Sequence, residues 1–161
     1  MGDGGTVVVG IGEPFRQDDG CGPRVVRELE GRVAPRVRLV GRVADMTALL
    51  DLWDRADLAV IVDAVRSGAV PGTVVRLEGK ELLRARAERS TSSHGLSVRD
   101  AYELGRALGR LPSRLVVYLI EAGEVAPGTS LTPLVGKGVE RAAAEIAAEL
   151  GGRGGGPGGA P

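Results

Sequence analysis

The sequence predicts an α/β domain of the doubly wound type, a mostly parallel five-stranded sheet flanked by helices on both faces. Strand-length apolar runs alternate with helical patterns along the chain, the order that builds parallel sheets. The runs starting at Thr6, Leu58 and Leu115 are almost wholly apolar, as strands buried on both faces are. The 161 residues are enough for one full core.

Thr6 to Gly12 reads as the first strand, and Pro23 to Gly31 as the first helix, with Val25, Val26 and Leu29 on one face. Val37 to Val43 is a second, shorter strand. Asp45 is placed to cap a helix through Asp54 whose apolar face is Met46, Leu49, Leu50 and Trp53. Leu58 to Val62 is the third strand and ends at Asp63. Pro71-Gly72 signals a turn, and Thr73 to Leu77 an edge strand. The stretch from Gly79 to His94 has room for a short helix before a polar loop. Ser97 with Asp100 forms a capping-box pattern, opening a helix with Val98, Ala101, Tyr102 and Leu108 inward. Leu115 to Ile120 is the last strand and Leu134 to Leu150 the last helix. Residues 1–150 therefore form the domain, and 151–161, mostly Gly and Pro, read as a disordered tail.

Composition excludes several functions. Lys plus Arg and Asp plus Glu both total 21, so no net charge draws the protein to nucleic acid or to an anionic membrane. Aromatic residues are too scarce for base stacking. A single cysteine, Cys21, forbids an internal disulfide and a cysteine-based zinc cluster. The start, Met-Gly-Asp-Gly-Gly, lacks a basic stretch followed by an apolar one, so no signal peptide is expected. No apolar run approaches the roughly 20 residues of a membrane span. A cytoplasmic protein is the expectation.

The most informative segment follows the first strand: Gly10-Ile11-Gly12-Glu13-Pro14-Phe15-Arg16-Gln17-Asp18-Asp19-Gly20-Cys21-Gly22. Glycines at the end of a buried strand resemble a phosphate cradle, but the dinucleotide pattern wants a third glycine where Phe15 stands. Two acids in the same loop would also repel phosphate. The loop suits a cation, which sets a Rossmann-type nucleotide module aside as the weaker alternative. With strand order 2-1-3-4-5, strands one and three are neighbours, and ligands bind at the switch point between them. Asp18 and Asp19 follow strand one and Asp63 ends strand three, so two carboxylate sources meet there. His94, the only histidine, lies in a polar loop expected at the carboxyl side of strand four. Asp19, Asp63 and His94 make a one-nitrogen, two-oxygen set suited to a divalent transition metal better than to Mg²⁺.

Each residue also has a plainer reading. Asp18 and Asp19 could cap the helix after them. Asp63 could meet an amide or arginine, and His94 could be solvated. Cys21 before a helix start could be a nucleophile with His94 as base and Asp63 as its orienter; a small buried hydrophobe is the favoured role.

Four motifs in order, GIGEPFRQDDGCG, VIVDAV with VPGT further on, SSHGLS and Leu131-Thr132-Pro133, resemble the hydrogenase maturation endopeptidases across about residues 6–150. This resemblance implies removal of a C-terminal extension from the large-subunit precursor of a nickel-iron hydrogenase, which becomes the expected partner. It implies Asp19, Asp63 and His94 as metal contacts and catalytic residues, to nickel that arrives held by the substrate. No tightly bound metal of the protein's own is expected. Asp18 or Glu13 is the candidate general base. Glu13 stands where the family usually has Asn, and Asp19 where Glu is usual. A non-catalytic chaperone that checks the metal would use the same residues.

Overall fold

The computed structural model describes residues 4–43, 45–84, 89–90 and 97–151. Its strands are β1 (Thr6–Gly10), β2 (Arg38–Val40), β3 (Leu58–Arg66), β4 (Val74–Glu78), β5 (Arg89–Ser90) and β6 (Arg114–Glu121). Its helices are α1 (Cys21–Leu29), α2 (Met46–Trp53), α3 (Val98–Leu108) and α4 (Pro133–Gly151), with single 3₁₀ turns at Gln17–Gly20 and Gly79–Leu83. The tail assignment, beyond Gly151, lies outside the described residues.

The sheet runs β2-β1-β3-β6-β4, with β5 paired to β3. Side chains alternate across a strand, so β1, β3 and β6 each feed two cores. Val8, Val60, Val62, Val116 and Tyr118 pack under α1 and α4. Val7, Val9, Ala59, Ile61 and Val117 pack under α2 and α3. The expected mostly parallel sheet with helices on both faces is what forms.

Local signals are realised closely. The Asp45 carboxylate accepts from Ala48 N–H at 2.9 Å. Ser97 and Asp100 cap each other's backbone amides. Met46, Leu49, Leu50 and Trp53 are all buried, and Trp53 Nε1–H donates to the Arg110 carbonyl at 2.9 Å.

Four expectations need correction. The strand order is not 2-1-3-4-5: β4 lies outside β6 and antiparallel to it. A parallel return needs a crossover of about a dozen residues or more, and residues 67–73 are too few for one. Next, β3 does not end at Asp63 but continues to Arg66, because β6 pairs with it through Val65 and β5 through Arg66. The first helix begins at Cys21 rather than Pro23, since the 3₁₀ turn leads straight into it. Leu108 is exposed rather than inward; Leu111, past the helix end, folds back against Gly105 and fills that place.

The antiparallel β4 also changes the route to His94. The carboxyl end of β4 points to the opposite end of the sheet, so the chain regains the site end through β5, which pairs Ser90 with Val65.

Candidate functional site

The site end of the sheet follows from unequal strand lengths. β1 stops at Gly10, and the Ile11 amide makes the last link, donating to the Val62 carbonyl at 2.8 Å. β3 continues, and β5 covers it again only at Val65 and Arg66. Asp63 and Ala64 therefore face the gap between the end of β1 and the end of β5, where Ser90 pairs with Val65. By alternation Asp63 shares its face with Ala59 and Ile61, the face on which α3 packs.

Asp63 is buried, and among the described residues only the Ala64 amide donates to its carboxylate, at 2.9 Å. Burial pushes its carboxyl up to about 8; the Ala64 amide opposes this, and the Asp19 charge adds to it. Asp19 is equally buried and its Oδ2 accepts from the Glu13 amide at 2.8 Å. Gly12 makes this packing feasible: its φ is 133°, and a Cβ there would collide with the Asp19 carbonyl oxygen.

Asp18 has a different task. Its Oδ2 accepts from the Gly123 amide (2.9 Å), the Glu124 amide (2.7 Å) and the Thr132 hydroxyl (2.8 Å). Its Oδ1 accepts from the Thr132 amide at 2.8 Å. These bonds tie the loop after β1 to the loop between β6 and α4. The Glu13 side chain is half-buried and pairs with Arg42 at 3.0 Å. His94 lies outside the described residues, and among the described residues no group of three metal-ligating side chains occurs.

Cys21 is wholly buried beside Val25 and Val62. Burial pushes its thiol well above the ordinary value, and the Asp63, Asp19 and Asp18 charges push the same way. A nucleophilic thiolate is therefore disfavoured at this position. Cys21→Ala is expected to keep near-normal cleavage and to cost about 1 kcal/mol in a denaturant melt; loss of cleavage in the folded variant would restore the thiol mechanism.

One buried acid was missed in the sequence. Glu121 accepts from the Ser67 amide and hydroxyl and from the Gly68 amide, at 2.7 to 3.1 Å. It holds the turn between β3 and β4. Its signal was an acid closing the apolar run Leu115 to Ile120.

Comparison with known proteins places this architecture among small α/β endopeptidases. The chain resembles the solved structure of the hydrogenase maturating endopeptidase HybD from Escherichia coli, with a TM-score of 0.78 and 29% identity over 92% of this chain and 93% of that one. It resembles HybD from Thermococcus kodakarensis at 30% identity, with a TM-score of 0.70 over 90% of this chain and 97% of that one. A family model described as hydrogenase maturation protease matches residues 23–149. The chain belongs to the hydrogenase maturation protease family, a family of hydrolases. Hydrogenase 2 maturation protease of Escherichia coli is 30% identical over 144 residues, 87% of each chain. HupD of Thiocapsa roseopersicina, a hydrogenase expression/formation protein, is 30% identical over 84% of this chain, which spans 63% of HupD's length.

Proposed function

We propose that this protein is a cytoplasmic endopeptidase that removes the C-terminal extension of a nickel-iron hydrogenase large-subunit precursor, after nickel insertion. The observation that carries this reading is Asp63: a buried carboxylate at the site end of the sheet, with one local amide donor among the described residues and a second buried acid, Asp19, raising its proton affinity. A buried carboxylate whose proton affinity is raised in this way calls for a proton or a cation beside it. A cation brought by the substrate meets that need and leaves with the product.

With His94, from the segment between β5 and α3, the donors are one imidazole and two carboxylates. That chemistry fits a divalent first-row metal such as nickel. Bound there, nickel supplies Lewis acidity at the scissile carbonyl or at an attacking water. Asp19 and Asp63 orient it, and both are already fixed by backbone contacts. Asp18, whose oxygens accept four bonds, positions the loop. Glu13, whose amide donates to Asp19 and whose partly exposed carboxylate pairs with Arg42, is the candidate to accept a proton.

Incubation with nickel-loaded and nickel-free precursor, followed by intact mass measurement, tests the reading. Cleavage of the loaded form alone is expected; equal cleavage of both would remove the checkpoint, and binding without cleavage would favour the chaperone alternative.

The donor set also predicts weak metal retention. Three protein ligands leave the shell open, whereas tight structural sites close four around the ion. Elemental analysis after dialysis is expected to find no stoichiometric metal, and calorimetric titration to find weak Ni²⁺ uptake. One tightly held ion per chain would indicate a metallopeptidase with its own resident metal.

A further inference from the structure

A groove of about 320 Å³ lies beside the loop that carries Asp19. One wall is Phe15 and Gly20 of that loop, another is Pro23, Arg24 and Arg27 of α1, and Leu131 closes it from the loop before α4. We infer that this groove docks an acidic segment of the protein substrate, with an apolar side chain against Phe15 and Leu131 and carboxylates on Arg24 and Arg27. The inference rests on the endopeptidase reading above.

Charge points to this occupant. Arg24 and Arg27 have no hydrogen-bond or ion-pair partner among the described residues, although Glu28 follows Arg24 at helical spacing. They stand three apart on one side of α1, so both guanidinium groups can meet one peptide. Phe15 is 63% exposed at the lip, where a large apolar side chain marks an interaction site only when its neighbours also suit a ligand. Here they do.

The walls are also held in place before any ligand arrives. The Gln17 amide donates to the Gly128 carbonyl and the Gly128 amide to the Phe15 carbonyl, both at 2.9 Å. The four bonds to Asp18 lace the same two loops. A preformed groove loses little ordering free energy on binding. Gly20, which lines it, directly follows Asp19 in the chain.

The test uses the full chain and nickel-loaded precursor. Arg24→Glu with Arg27→Glu, and separately Phe15→Ser, are expected to raise KM about tenfold or more with kcat nearly unchanged, because docking and not chemistry is lost. Binding of each protein to immobilised precursor is measured in parallel. The control reverses two exposed arginines elsewhere, Arg36→Glu with Arg106→Glu, and is expected to leave KM unchanged. Wild-type cleavage with an unaltered KM in the Arg24/Arg27 variant would overturn the docking site and leave the protease reading intact. Wild-type binding that depends on these arginines without cleavage would overturn the protease reading and keep the docking site. Absence of both binding and cleavage would overturn both.

Discussion

Asp63→Asn is expected to abolish processing while raising the thermal midpoint of the metal-free protein. The two effects share one cause. Asn keeps the shape, and its oxygen can still accept from the Ala64 amide at the place Oδ1 occupies. It removes a charge that burial and Asp19 disfavour. The sign follows from the direction of the shift: the folded carboxyl, at about 8, holds its proton where the unfolded one, at 3.8, does not. Stability therefore falls as pH rises through that window, and above about 8 both forms are ionised and the full penalty stands. The variant escapes this loss. A gain of about 1–3 kcal/mol is expected once relaxation around the charge is allowed for, worth about 2–4 °C per kcal/mol in a chain this size. Melting both proteins from pH 5 to pH 9 checks it: the gap should widen with pH, and a variant that melts below wild type at high pH would falsify the assignment of Asp63 as an under-partnered acid.

Asp18→Ala is expected to be the most damaging single change at this end of the sheet. It leaves the Gly123, Glu124 and Thr132 amides and the Thr132 hydroxyl without the acceptor they share. Orphaned, partly buried donors around a deleted carboxylate cost about 3–5 kcal/mol. Asp18→Asn should cost less, about 1–3 kcal/mol. Its oxygen can keep the three donors at Oδ2, and its NH₂ then opposes only the Thr132 amide. Urea midpoints should fall in the order wild type, Asn, Ala, and cleavage should fall with them as the two loops separate. Both variants lying within 0.5 kcal/mol of wild type, the ordinary range for surface changes, would show that the tie does not hold the loops.

The parts of the fold legible in the sequence are those decided locally. Asp45 and the Ser97–Asp100 pair speak through neighbours three residues away, so their helices start where expected. Asp63 was visible because an acid directly after five apolar residues needs an explanation. The position of β4 was less so, since it depends on Glu121 gripping a turn some 53 residues away in the chain. The short link of residues 67–73 was nevertheless a usable clue that no parallel return could fit. Asp18 and Asp19 show the limit most plainly. They are adjacent and chemically identical, and only the loop from 123 to 132 distinguishes the one that fastens from the one that faces Asp63.

The outermost strand has a bearing on how the protein behaves at high concentration. β4 ends the sheet, so among the described residues one side of its backbone has no neighbouring strand, a template on which another chain could add and begin to aggregate. Arg76 and Glu78 stand on it, the first bound to Glu149 at 2.6 Å and the second to Arg114 at 2.6 Å. A chain adding there would meet a strand carrying charged side chains rather than an uninterrupted apolar one, and those charges are already engaged with α4 and β6. Acid weakens this guard late: the Arg76 and Arg114 guanidinium groups hold Glu149 and Glu78 below the usual carboxylate range, so these pairs outlast unpaired glutamates as the pH falls. Resistance to self-association is thus written into the border of the sheet, at the far side from the two buried acids.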